Sequence, residues 1–108
     1  MSPLDSPDNS PDRPASRAGA VTRVLRIVNE KGLHARASAK FVQTVEKFDA
    51  EVTVSRNGES AGGNSIMGLM MLAAGIGTSI TVTATGPQAA AVVDALDKLV
   101  ASRFGEQE

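Results

Sequence analysis

Glu51-Val52-Thr53-Val54-Ser55, followed after Arg56 by Asn57-Gly58, is the stretch on which the fold turns. Its first five residues alternate polar and apolar, the period of a half-buried strand, and Asn-Gly tolerates the positive dihedrals of a tight hairpin. A short return strand over Glu59 to about Gly62 is therefore expected. Upstream, Phe41, Val45 and Phe48 stand at i, i+4 and i+7, Val42 widens the stripe, and Lys40, Gln43, Glu46 and Lys47 lie opposite. That spacing predicts an amphipathic helix from about Ala35 to Lys47. Before it, Val24-Leu25-Arg26-Ile27-Val28 suits a strand with a buried face, and Asn29-Glu30-Lys31-Gly32 a loop.

Downstream, Asn64-Ser65 can cap a second helix over Ile66 to about Ala74, which Gly75 or Gly77 would end. Ser79 to Thr85 alternates again, with Ile80, Val82 and Ala84 on one face. Gly86-Pro87 would open a last helix, proline being comfortable at a first helical position. Its stripe runs through Val92, Val93, Leu96, Leu99 and Val100. The order βαββαβα is economically packed as an α+β open-faced sandwich, with three helices on one face of a four-stranded, largely antiparallel sheet. Residues 21–105 read as one domain. Residues 1–20, in which Pro3, Pro7, Pro11 and Pro14 alternate with serines and aspartates, read as a disordered tail, and residues 106–108 as a flexible C-terminus.

Composition narrows the function. The chain has 108 residues, no Cys and one His, so disulfides, thiolate metal sites and a zinc centre are not expected, and no cofactor is implied. A net charge of −1 with 3% aromatic residues gives neither the basic surface nor the stacking platforms that nucleic-acid binding uses. The apolar run Ile66 to Ile76 is well short of the roughly 20 residues of a spanning helix, and the first sixteen residues lack the pattern of a secretory signal. A cytoplasmic protein without membrane insertion is expected.

The one histidine, His34, stands where loop becomes helix in Gly32-Leu33-His34-Ala35-Arg36-Ala37. Backbone N–H groups at a helix start lack intrahelical partners and, with the macrodipole, favour an anion there. Neutral imidazole is a competent nucleophile toward phosphorus, and a positive helix end favours the neutral form. Arg36 could close on phosphoryl oxygens with a permanent charge. Gly32 would let the loop turn and keep a partner's approach open. A plainer reading stands beside this one: a lone histidine near a helix start is more often a surface residue or weak cap, and Arg36 a solvated helix charge.

These six residues closely resemble the active-site motif of HPr, the histidine-containing phosphocarrier of the bacterial phosphoenolpyruvate-dependent phosphotransferase system. Ser65-Ile66-Met67-Gly68-Leu69-Met70 resembles the regulatory-serine segment of that family, and the likeness spans about Val21 to Phe104. The resemblance implies the same open-faced sandwich. It implies a monomeric carrier, not an independent enzyme, in which His34 accepts a phosphoryl group through Nδ1 from phosphorylated enzyme I and passes it to an EIIA-type protein. Arg36 and the helix start at Ala35 would stabilise the phosphate. Ser65 would match the serine modified by HPr kinase/phosphorylase where that enzyme occurs, although capping alone explains a serine there.

Ala35, Ala39, Ile66, Met67 and Met70 would dock partners, while Leu69 and Leu72 belong to the core. Two departures from the family pattern bear on these roles. Ala37 replaces a frequent proline, and Asn64 stands where a basic residue is common. The segment 35–40 and the methionine-rich helix resemble HPr proteins of alphaproteobacteria, where regulatory phosphotransferase branches tied to nitrogen and carbon status are frequent. Alternative readings are a regulatory protein of this fold acting mainly through Ser65, or a small ligand-sensing αβ domain with an incidental histidine.

Overall fold

Residues 20–106 are described by the computed structural model; the expected tail, apart from Ala20, and residues 107–108 lie outside them. The strands are β1 (Val21–Arg26), β2 (Glu51–Arg56), β3 (Glu59–Gly62) and β4 (Ser79–Thr85), and the helices α1 (Ala35–Val45), α2 (Ile66–Met71) and α3 (Ala89–Ala101). They form one antiparallel sheet in the order β1-β4-β2-β3. The expected βαββαβα sandwich is what forms.

Strand alternation explains the layering. Leu25, Val52, Val54, Ile80, Val82 and Ala84 point to the helices and are buried, while Thr22, Val24, Thr53 and Thr85 are exposed on the other face. The helices add Phe41, Val42 and Val45 from α1, Leu69 from α2, and Val92, Val93, Leu96 and Val100 from α3. Burying each such side chain is worth about 1.5–3 kcal/mol. The hairpin turns at Asn57 and Gly58 with φ of 53° and 81°, the mirror-image turn this dipeptide favours. Among the described residues no helix is long and apolar enough to cross a membrane.

Several boundaries differ from the sequence expectation; α1 ends at Val45, two residues before Lys47, and β1 starts at Val21. β1 ends at Arg26 because Ile27 leaves the ladder to bond the loop before β4, its N–H donating to Thr78 O at 2.8 Å and its carbonyl accepting from Gly77 N–H at 2.8 Å. α2 stops at Met71, not Ala74: Ala73 itself takes φ 54°, so no glycine makes the left-handed exit. α3 is capped at Gln88, leaving Pro87 outside it; Gln88 instead accepts the Asp49 N–H on Oε1 at 2.6 Å and donates its own N–H to Asp49 O at 3.0 Å.

After α3 the chain does not run free. Arg103 and Phe104 take φ of 61° and 55°, a conformation costing about 1–3 kcal/mol per non-glycine residue unless its surroundings enforce it. Here they do: Phe104 is wholly buried, and the Lys40 ammonium donates to its carbonyl at 2.6 Å. The Gly105 and Glu106 N–H groups donate to Ser102 O at 3.0 Å and Arg103 O at 2.9 Å. This turn brings residue 106 back to α1, so Glu106 departs from the flexible end that sequence assigned to it.

Candidate functional site

The loop before α1 is fixed from both sides. Gly32 has φ 65°, and a Cβ there would collide with the Ala74 carbonyl and the Gly75 backbone. Leu33 N–H donates to Ala74 O at 2.9 Å. Glycine is therefore required because the chain's own α2–β4 connection lies against it, and not to clear a partner's approach. Buried Leu33 anchors the loop, and His34 follows as the N-cap of α1 with extended backbone, φ −77° and ψ −177°.

As a cap His34 is weak. Its Nδ1 accepts the Arg36 N–H at 3.3 Å, beyond the usual N–H···acceptor range. Only from Ser38, whose N–H donates to His34 O at 2.8 Å, does the helical ladder begin, so the opening amides of Ala35, Arg36 and Ala37 have no intrahelical acceptor. The imidazole side chain is 28% exposed.

Sequence reasoning missed the other side of the ring. His34 Nε2 contacts Glu106 Oε2, and Glu106 Oε1 accepts Asn29 Nδ2–H at 3.2 Å. Asn29 is wholly buried and also donates to Gly32 O at 2.9 Å, while its Oδ1 has no partner among the described residues. The His34 hydrogen bond, opposed by desolvation and aided by Asn29 and the charge of Lys31, holds the Glu106 carboxyl below its ordinary value. A carboxylate can only accept, so Nε2 carries the proton; Nδ1, accepting from Arg36, presents its lone pair. The ring is thus in the Nε2–H tautomer.

These groups border a depression of about 520 Å³ lined by Glu30, Lys31, His34, Ala35, Arg36, Lys40, Gly105 and Glu106. Arg36 is exposed on it, so His34, Ala35 and Arg36 come together as expected. A second concavity joins His34 to Met70 across Ala73 and Ala74. Of the α2 segment, Met70 lines it; Ile66, Met67 at 69% and Met71 at 74% are also exposed, while Leu69 and Leu72 are buried. Ala39, on the same face of α1 as Ala35, is partly exposed. Ser65 caps α2, its Oγ accepting Gly68 N–H at 3.0 Å, and remains partly exposed. Phe104-Gly105-Glu106 carried a signal for the missed carboxylate: a large apolar residue and a glycine just beyond the last helix imply that the chain is pinned and turned there.

A family model described as the PTS HPr component phosphorylation site matches residues 21–102. The phosphocarrier protein HPr of Cupriavidus necator is 52% identical over 86 residues, 80% of this chain and 97% of that protein. The phosphocarrier protein NPr of Shewanella violacea is 40% identical over 84 residues, 78% of this chain and 92% of that protein. Among solved structures, HPr-C-His from Thermoanaerobacter tengcongensis is similar with a TM-score of 0.77 at 35% identity, covering 82% of this chain and 99% of that one.

Proposed function

Since the chain belongs to the HPr family, phosphocarriers rather than enzymes, we propose that His34 is its phosphoryl acceptor. His34 takes the group on Nδ1 from phosphorylated enzyme I and delivers it to an EIIA-type protein in the cytoplasm. The observation that carries this reading is the direction of the Nδ1 lone pair, toward the Arg36 N–H among the opening amides of α1. The lone pair attacks phosphorus, an N–P bond forms, and the pair of the breaking bond leaves with the donor. The phosphoryl oxygens then meet N–H groups at the positive end of a helix, with the Arg36 guanidinium on the same depression.

Transfer onward requires that the site be reachable, and Met70, which lines a concavity with His34, together with the exposed Met67 on the same short helix, supports docking there: unbranched, polarizable side chains repack against successive partners. Ala35, Ala39, Ile66, Met67 and Met70 form the proposed contact surface. Phosphorylation of Ser65 by an HPr kinase/phosphorylase would add about −1.5 to −2 charge at the start of α2 and repel an acidic partner without removing an acceptor from the cap. The relay ends in sugar uptake or in nitrogen- and carbon-linked regulation, and the EIIA-type protein that removes the phosphate separates the two.

Incubation with phosphoenolpyruvate and enzyme I should place an acid-labile, alkali-resistant phosphate on His34, absent from His34→Ala and lost on adding the EIIA acceptor. An unlabelled wild-type chain, or a labelled His34→Ala, would overturn the reading.

A further inference from the structure

We propose that Arg56, at the end of β2, is a positioning residue for partner docking: its guanidinium holds the exit of α2 in the place from which Met70 borders the His34 concavity. The inference rests on α2 being the docking element, and it names what sets that element's position. Alternation along β2 puts Arg56 on the same sheet face as the buried Val52 and Val54, the face that the helices cover. From there Arg56 Nη1–H donates to Leu72 O at 3.0 Å, in a partly buried contact between residues 16 apart in sequence.

The exit of α2 needs such a tie. Leu69 is the one buried side chain among its six residues, and its last turn carries no basic residue of its own. The final carbonyls of a helix lack intrahelical donors and bear partial negative charge, so a cationic donor satisfies them twice over. At Leu72, the C-cap, that donor comes from a strand. Burial of the Leu72 side chain sets its depth, and the Arg56 bond sets the direction of its carbonyl. Immediately beyond, Ala73 turns with φ 54°, its N–H donating to Met70 O at 3.0 Å, and Ala74 O accepts Leu33 N–H at 2.9 Å. Residues 72–74 thus join the helix that bears Met70 to the loop that bears His34, and clamping Leu72 fixes how the two meet. Arginine suits the task because its charge is permanent and its planar fork loses little freedom per hydrogen bond formed. A patch held in place spares each arriving partner the cost of ordering it, which would otherwise recur at every encounter.

Arg56→Met keeps the aliphatic stem and removes the donors, while Arg56→Lys keeps a charged donor; both are measured beside Met70→Ser. In the free protein, amide exchange of Leu72 and Ala73 should quicken about tenfold in Arg56→Met, with the amides shared by β1 and β4 unchanged, and return toward wild type in Arg56→Lys. With phosphorylated enzyme I as donor, the KM of Arg56→Met should rise about fivefold at unchanged kcat, again with partial recovery in Arg56→Lys. A purely structural role would lower stability and raise exchange throughout the sheet without moving KM. Wild-type KM in Arg56→Met would overturn the proposal. So would a raised KM with wild-type exchange at Leu72 and Ala73, which would make Arg56 a direct partner contact. A raised KM in Met70→Ser but not in Arg56→Met would sink the clamp and leave docking on α2 standing, whereas wild-type KM in both would remove docking on α2 itself.

Discussion

α1 and α2 begin alike and are held differently. Each is preceded by an extended residue whose side chain accepts an N–H of the first turn. Ser65 Oγ takes the third amide of α2 at 3.0 Å, whereas His34 Nδ1 reaches only the second amide of α1, at 3.3 Å. The packing is reversed. α1 buries Ala37, Ser38, Phe41, Val42 and Val45 along eleven residues, while the six residues of α2 bury Leu69 alone. A helix of six residues has little intrinsic stability and leans on its cap and its single anchor. The longer helix is secured by its apolar face and tolerates a poor cap. That tolerance frees its opening turn for an anion: a good cap would occupy the amides that phosphate needs.

Exchanging the caps breaks the contrast most severely. His34→Ser would give α1 the kind of cap α2 has, and should be more stable than His34→Ala by about 0.5–1 kcal/mol in urea unfolding. Both variants should nevertheless lose all phosphate acceptance from enzyme I, because neither has a nucleophilic nitrogen. Ser65→Ala should keep it. Labelling of His34→Ser would show that a hydroxyl or another residue carries the group, and would dissolve the functional difference between the two helix starts.

How far that contrast could be read in the sequence follows from the range of each signal. Asn57-Gly58 announces its hairpin because two adjacent residues determine the turn, and the Phe41, Val42, Val45 stripe announces α1 because a helix repeats within seven residues. Ser65 is legible as a cap for the same reason. His34 and Arg36 were ambiguous by chemistry alone and became specific through the motif around them. Phe104 and Gly105 signal a turn after α3, but the pairing of Glu106 with His34 was not legible: the two meet only after the sheet is assembled and Phe104 is seated. Asn29, read as a loop residue, owes its role to that same closure. The premature end of α2 escaped because Ala73 adopts the conformation for which glycine is the usual marker.

Next in size is the loss of the anchor of α2. Leu69→Ala removes its one buried side chain and should cost about 2–5 kcal/mol, with amide exchange across residues 66–71 rising more than across α1. A similar cost in Val42→Ala should spread over the whole domain, since other residues still hold α1. If exchange rises equally in both helices after Leu69→Ala, α2 is not the separately held element its packing describes. Smaller again is the cap itself: Ser65→Ala should cost about 1 kcal/mol, read as a shifted urea midpoint at constant slope.

The smallest effect distinguishes the helix starts by pH. The α1 start is tied to a titratable group, since Glu106 is held below the ordinary carboxylate value chiefly by its hydrogen bond to His34. The Ser65 cap involves none. A carboxyl whose folded value lies below its unfolded value of about 4.3 contributes stability that is complete above that pH. The contribution is lost as pH falls through the folded value, because protons then bind the unfolded chain more readily. Urea unfolding from pH 6 down through the carboxylate range should therefore bring the curves of wild type and Glu106→Gln together, with the wild type losing its advantage in acid. Over the same range Ser65→Ala should run parallel to wild type. Curves for Glu106→Gln that also stay parallel would mean that the carboxylate makes no pH-dependent tie to the ring, and the two helix starts would then differ in cap geometry alone.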